Sequence, residues 1–518
     1  MSIGQGLSSN YYSLIVFVVG VLTATVWIYV TMIKEDDNNN NSDDDPYFSM
    51  TVFGPYLPVA LSYTCFAHAW LSVMSRIGNG NGNDNGLQQW RKTPIIVASS
   101  DAINPTTTTN TTTKKKKLAI ITGSNTGIGY ETARRLVQEY GWDVILACRS
   151  KDKALIAKNK INNYETENDD DDDVLSNNNN AHNGKAIVLN PVLDLSDFDS
   201  IRKFVDAVEN EYDNVDVLIN NAGRNTSGRS PGNPNLDLMF QSNYLGHFLL
   251  TELMLKNKLL LSTTSSTTSS NGGSMITGNK VINLSSVMHH FAKGDNIDRE
   301  EGGGQAGSTI SSPYYWKRRA LYHDDNDIRH PNNIYAASKL AAILHTVELN
   351  RRYGRNSNQQ PHLTAIAVNP GAVNSDIWRN FPNWVREYIF DNIYLSTEQG
   401  SEPIVAAAIR NDLDTHHDDS TTSSTTNIGR GTIIYLQPYA NPFSIFGGRW
   451  FPDSSSTSSS SLSSSSSFPM IPFTEIFGPY VGHLPTIPRL PKNLKTTEVA
   501  AKVLWDVSEE LTNIHNEK

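Results

Sequence analysis

One eight-residue stretch, Thr122-Gly-Ser-Asn-Thr-Gly-Ile-Gly129, constrains the fold of this chain more than any other. It ends a short apolar run, Leu118 to Thr122, whose length and flanks read as a buried strand. A helical pattern from Ile128 to Tyr140 follows, closed by Gly141 at a C-cap position. Glycines spaced Gly-x3-Gly-x-Gly on a strand-to-helix turn let the backbone approach a pyrophosphate, and the helix N-terminus favours its charge. A glycine-rich turn alone is compatible with a tight connection. Its place between strand and helix favours dinucleotide binding by Gly123, Ser124, Asn125, Thr126, Gly127, Ile128 and Gly129.

The pattern continues in kind. Further apolar runs read as strands at Val144 to Ala147, Ile187 to Val192, Val215 to Asn220, Val281 to Leu284, Thr364 to Val368 and Thr432 to Leu436. Helical patterns lie among them at Phe198 to Tyr212, Leu236 to Leu260, Ile334 to Tyr353 and Glu398 to Arg410. Near-continuous apolar strands alternating with helices predict a parallel sheet covered on both faces. The expected fold is α/β, a single doubly wound parallel-sheet (Rossmann-type) domain over 117–518, with ligands at the strand carboxyl ends.

Low-complexity blocks of Asn, Asp, Ser and Thr near 165–183, 261–280, 295–312, 411–430 and 453–468 fall between these elements and read as polar surface insertions. They also carry much of the charge. The formal net charge is −10, and setting aside ten aspartates in such runs and Lys114 to Lys117 leaves −4. No basic stripe points to nucleic acid. Two cysteines, Cys65 and Cys148, give neither a disulfide framework nor a metal-binding pair, and no metal site is expected.

Residues 1–34 are expected to anchor the chain in a membrane. Tyr11 to Ile33 runs 23 residues without a charge, enough for a helix to cross a bilayer, and lacks the basic leader and small-residue cleavage site of a signal peptide. A linker follows over 35–116, with a second apolar segment at 58–77 that reads as a packed or membrane-surface helix more readily than as a second span.

Three more features carry chemistry. The second strand ends at Cys148-Arg149-Ser150, where an acid would select NAD through the ribose 2′-hydroxyl and an arginine instead pairs a 2′-phosphate, so NADP(H) is the expected cofactor. Asp194 and Leu195, after the third strand, and Asn221, Ala222 and Gly223, after the fourth, lie where the adenine and inner ribose would pass. Tyr335 and Lys339 stand at i and i+4 on one helical face, and a cation beside a phenol favours the phenolate, moving the tyrosine towards general acid/base work.

Taken in order, TGSNTGIG, NNAG, a serine-ended strand and YAASK resemble a short-chain dehydrogenase/reductase. LACRS (Leu146 to Ser150), NYLGHFLLT (Asn243 to Thr251), VNPGAV (Val368 to Val373), STEQG (Ser396 to Gly400) and LWDVSEEL (Leu504 to Leu511) are similar to the retinol dehydrogenase and WW-domain oxidoreductase-like branch. The resemblance implies a four-residue catalytic site. Tyr335 would be the general acid or base, and Lys339 would hold the nicotinamide ribose and lower the tyrosine pKa. Ser286, in preference to Ser285, would bond the substrate oxygen, and Asn243 would steady a helix kink and a relay water. Pro370, Gly371 and Val373 would line the nicotinamide through the backbone.

The implied activity is interconversion of a carbonyl and an alcohol on a small lipophilic substrate: retinal-like, steroid or fatty aldehyde. The implied setting is the endoplasmic reticulum membrane with a cytosol-facing domain, with a plastid envelope as the alternative, and the oligomeric state is left open. A membrane-associated NADP(H)-sensing or scaffolding role is the competing function. Two departures bear on the pocket. Ser286 and Tyr335 lie 49 positions apart, longer than the family's usual separation, and Val373-Asn374-Ser375 replaces a threonine common after the Pro-Gly turn. His289, His290, Phe291, Tyr314, Tyr315 and Trp316 read either as an aromatic substrate wall or as loop packing.

Overall fold

Every long strand is apolar on both faces because the sheet divides two cores. In the computed structural model, alternate residues of each strand fall into separate buried clusters. The structure describes residues 116–163, 184–261, 266–268, 274–276, 278–286, 288–289, 292, 310–322, 331–354, 363–371, 373–378, 395–409, 435–436 and 497–514. The segments 11–33 and 58–77 lie outside these residues, and among the described residues no helix is long and apolar enough to cross a membrane.

The strands are β1 (Leu118–Thr122), β2 (Asp143–Ala147), β3 (Ala186–Ile187), β4 (Val217–Asn220), β5 (Ser266–Thr268), β6 (Ser274–Ile276), β7 (Asn279–Leu284), β8 (Leu363–Val368) and β9 (Tyr435–Leu436). The helices are α1 (Gly127–Gln138), α2 (Lys151–Asn162), α3 (Phe198–Glu211), α4 (Leu238–Phe240), α5 (Gly246–Lys256), α6 (Pro313–Ala320), α7 (Pro331–Tyr353), α8 (Thr397–Ile409) and α9 (Thr497–Thr512). Seven strands form one sheet in the order β3-β2-β1-β4-β7-β8-β9, every neighbouring pair parallel. The chain winds outward from β1 to β3, then crosses to β4 and winds the other way. The reversal between β1 and β4 opens a crevice at the strand carboxyl ends, where such sheets take ligands.

One core packs Ile120, Ile145, Leu218, Val281 and Ala365 against α3, α5, α7 and α9. The other packs Ile121, Val144, Ile219, Ile282 and Ile366 against α1, α2 and α8. α9 closes the first core with Trp505, fully buried edge-on to Phe248 at 5.0 Å, and with Ser508, whose hydroxyl meets the Tyr244 phenol at 2.9 Å. The α1 C-terminus turns as expected at Gly141, whose φ of 69° lies in the left-handed region.

Four features differ from the sequence expectation. α2 and α6 were not foreseen. The polar block near 261–280 holds an antiparallel pair, β5 with β6. The helix expected over Leu236 to Leu260 is broken into α4, a π-helical turn at Gln241–Leu245, and α5. Last, Tyr315 and Trp316 are fully buried on α6, with the Trp316 Nε1–H donating to the Ile310 carbonyl at 2.8 Å, so they are packing residues; Tyr314 is exposed. His290 and Phe291 lie outside the described residues.

Candidate active site

The glycine turn is built around Thr122, the last residue of β1. Its Oγ1 accepts the backbone N–H groups of Asn221 and Ala222, each at 2.9 Å, which pins the loop after β4 to the loop after β1. The Asn221 amide returns the contact, donating from Nδ2 to the Thr122 carbonyl at 2.8 Å. Gly123 and Gly127 have φ of 66° and 63°, where a side chain is strained. A Cβ on Gly129 would lie 2.4 Å from Asn221 Nδ2 and 2.7 Å from the Gly123 carbonyl. Ser124 is fully buried and donates to the Ile121 carbonyl at 2.8 Å, so it holds the turn from beneath. Asn125 and Ile128 are partly exposed, and Thr126, exposed at the N-cap of α1, donates to Asp376 at 2.9 Å. The result is a bare backbone cradle at a helix N-terminus, which suits a dinucleotide phosphate.

The flanking positions divide. Arg149 stands exposed at the end of β2, and Ser150 caps α2. Asp194 is turned to its own backbone: its Oδ1 accepts the Ser196 N–H at 2.9 Å and hydroxyl at 2.6 Å. Leu195 is buried, its carbonyl against Gly246, where a Cβ would sit 2.5 Å away. After β8, Pro370 is buried and Gly371 turns at φ 82° with its N–H on Asn369 Oδ1. Val373 is buried against Gly400 and bridges to Leu395. Asn225 donates to the Ile377 carbonyl at 2.8 Å, so two contacts tie the 376–377 segment to the loops after β1 and β4.

The four residues expected to do chemistry come from three regions; Lys339 and Asn243 flank Gly223, and Tyr335 lies beside Lys339 and Ser286. Tyr335 and Lys339 share a face of α7, with Lys339 Nζ 5.6 Å from the phenol ring centroid. The ammonium donates to the Leu284 carbonyl at 3.2 Å, and a Cβ on Gly223 would lie 3.5 Å from it and 3.8 Å from Asn243 Oδ1. Asn243 sits on the π-helical turn and grips Arg224 by both backbone groups, accepting its N–H at 2.8 Å and donating to its carbonyl at 2.9 Å. The two serines part company. Ser285 is buried and donates to the Lys339 carbonyl at 2.8 Å, whereas the Ser286 hydroxyl hydrogen-bonds Tyr335.

Electrostatics correct one expectation. Burial pushes the Tyr335 phenol up to about 12, only partly opposed by the Ser286 hydrogen bond, so the structure does not show the lowered tyrosine inferred from its lysine neighbour. The reason is that Lys339 is buried and Tyr335 partly buried, and each loses hydration in its charged form. The same burial brings Lys339 down to about 8. A neutral phenol bonded to a serine hydroxyl is arranged to give a proton to an oxygen bound between them.

Sequence reasoning missed Thr122, His247, Ser338 and Asp376. Ser338 accepts from Asn243 Nδ2 at 3.2 Å and donates to the Tyr335 carbonyl at 2.7 Å, joining the turn to α7. The hydroxyl at the end of β1 was a readable signal for Thr122. The others read as ordinary helix or loop residues.

A family model described as short chain dehydrogenase matches residues 160–277. Retinol dehydrogenase 12 of Mus musculus is 32% identical over 300 residues, spanning 57% of this chain and 74% of the relative. Retinol dehydrogenase 13 of Homo sapiens is 30% identical over 301 residues, 57% of this chain and 72% of its own. Polyprenol dehydrogenase of Homo sapiens is 29% identical over 263 residues, 51% and 62% respectively.

Proposed function

The chain belongs to the short-chain dehydrogenases, in the retinol dehydrogenase-like branch, and from that premise we propose that it interconverts a lipophilic carbonyl and its alcohol with NADP(H). The family makes it an oxidoreductase acting between alcohol and carbonyl groups with a nicotinamide cofactor. The observation that carries the proposed chemistry is the Tyr335 phenol, hydrogen-bonded to Ser286 and with Lys339 Nζ 5.6 Å from its ring centroid.

The cradle of Gly123 to Gly129 and the loop of Asn221 to Gly223 would hold the cofactor, with Lys339 beside Gly223 at its ribose. When bound, the nicotinamide supplies the hydride. Ser286 orients the substrate oxygen and Tyr335 gives it a proton. Lys339, the nearby cation, stabilises the phenolate left behind. Asn243 holds the backbone of Arg224 and, through Ser338, the turn of α7 that carries Tyr335. The choice of NADPH rests on Arg149, exposed at the end of β2 where a ribose-binding acid would otherwise stand. The lipophilic substrate is supported by relatives named for retinol and polyprenol, both isoprenoid alcohols, and by the uncharged stretch 11–33, which we read as an anchor.

The test is a comparison of NADPH and NADH oxidation by the full chain against retinal, a long-chain aldehyde and a ketosteroid. NADPH preference that falls at least about tenfold in Arg149→Ala, as for loss of a charge-assisted contact, is the expected result. Equal use of both cofactors by the wild type would overturn the NADPH assignment. Tight binding with no turnover of any carbonyl would favour the sensing or scaffolding role.

A further inference from the structure

His247 has no part in the proposed chemistry, yet it lies 4% exposed between its two halves. Its Nδ1 is 3.0 Å from the backbone carbonyl of Asn243, on the π-helical turn. Its Nε2 is 2.9 Å from Thr122 Oγ1, the hydroxyl that pins the loop after β4 to the glycine turn. The hydrogen-bonding partners of the ring select one tautomer. A carbonyl oxygen accepts and cannot donate, so Nδ1 carries hydrogen. The Thr122 hydroxyl already spends both lone pairs on the Asn221 and Ala222 N–H groups, so it has nothing left to accept with and one hydrogen to give, to Nε2 at 2.9 Å or to the Ile219 carbonyl at 3.4 Å. Nε2 cannot donate to that oxygen and is the nearer acceptor. Two independent partners select the same tautomer, and a doubly protonated ring would bring its second N–H against a saturated oxygen.

We propose that His247 is a positioning residue: a neutral imidazole, protonated at Nδ1, that ties the turn carrying Asn243 to Thr122 and, through Thr122, to the cofactor-gripping loop Asn221–Gly223. The bridge fixes the distance between the glycine cradle and the helix turn beside Tyr335 and Lys339. The groups facing it agree with a neutral ring. Burial brings His247 down to about 4, with Lys339 lowering it further against the pull of the Asn243 carbonyl. His345, the other titratable group coupled to it, is itself brought down to about 3, chiefly by burial. The imidazole thus keeps one hydrogen-bonding pattern across the working pH range. Asn243 has a second tether in its side-chain grip on Arg224, so the bridge sets fine geometry rather than the existence of the turn.

The inference rests on the nicotinamide reading, and its test separates the two. NADPH affinity of the full chain is measured by titration calorimetry for wild type, His247→Phe, Thr122→Val and the double variant, with thermal unfolding alongside. His247→Phe loses two buried hydrogen bonds and should weaken NADPH about tenfold; Thr122→Val also orphans the Asn221 and Ala222 N–H groups and should weaken it more. Because both variants cut the same bridge, the double should be little worse than the worse single. A folded His247→Phe that binds NADPH as the wild type does, or strictly additive losses, would overturn the bridge. A wild type that binds neither NADPH nor NADH defeats the nicotinamide reading and this inference with it. Nitrogen-15 spectra of the wild-type histidines give a check independent of any destabilised variant: His247, assigned from whichever of His247→Phe or His247→Asn folds, should show the Nδ1–H form without titrating between about pH 5 and 9. An Nε2–H form, or a titration near the ordinary histidine value, contradicts the proposal.

Discussion

At the end of β1 the residue types are set by what the backbone must do; at the end of β7 and on α7 they are set by what burial does to a charge. Gly123 and Gly127 are there because φ is positive, Gly129 because a methyl group would strike Asn221, and Thr122 because two N–H groups need one acceptor. Nothing in that loop titrates in a useful range. Tyr335 and Lys339 lie on regular helix, and the proposed chemistry rests on a partly buried phenol and a buried ammonium, one pushed up and the other down. In the proposed function, cofactor binding falls to the first region and proton transfer to the second. The first region should fail by losing space, the second by losing a functional group while its shape survives.

The sharpest break is Gly129→Ala. A Cβ 2.4 Å from Asn221 Nδ2 and 2.7 Å from a carbonyl oxygen forces the loops after β1 and β4 apart. We expect NADPH binding to fall by at least about a hundredfold in calorimetry, with a loss of roughly 2 kcal/mol in denaturant unfolding, the usual cost of overpacking. Ser286→Ala leaves the shape and removes the hydroxyl beside Tyr335, so kcat should drop about a hundredfold with NADPH affinity intact. Its neighbour sharpens the contrast. Ser285→Ala removes only the bond to the Lys339 carbonyl, and should cost about 1 kcal/mol of stability and no more than a few-fold in kcat. Equal kinetic effects of the two serines would contradict their separation in space.

The smallest expected effect is a control outside both regions. Glu252, on α5, has Oε1 buried without a partner, and burial raises its carboxyl to about 8, with Arg352 opposing and Glu509 adding. A group whose folded pKa is raised stabilises the fold below its unfolded pKa and loses that contribution as pH climbs through the folded value. Glu252→Gln should therefore leave the melting temperature unchanged near pH 4 and raise it modestly at pH 9, while NADPH binding stays put. A variant that is destabilised at pH 9 would show that the carboxylate is satisfied in the fold.

Much of this was legible in the sequence, for definite reasons. β1, β2, β4, β7 and β8 are buried on both faces, so their apolar runs are unbroken, and the glycine spacing is demanded by sterics that few other residues satisfy. α2 was not legible because its buried stripe is only Ala154, Ala157 and Ile161 in a Lys- and Asn-rich stretch. α6 starts at Pro313 among polar residues, and its aromatics read equally as wall or packing until Tyr315 and Trp316 are seen inside the core. His247 was hidden because one histidine in the apolar α5 pattern carries no periodic signal; its meaning is in the partners, 125 residues apart in one case. The upward push on the tyrosine was not legible, since spacing reveals the lysine and says nothing about dehydration.

The account turns on Tyr335 being the proton donor in a crevice whose cofactor side is built separately, and one measurement meets that directly. Single-turnover oxidation of bound NADPH by retinal is followed for the wild-type chain and for Tyr335→Phe, after the NADPH affinity of both is established. The account predicts matched affinity and a hydride-transfer rate lower by about a thousandfold or more in the variant, within the range expected for loss of a positioned acid. Turnover by Tyr335→Phe within a few-fold of the wild type would contradict it.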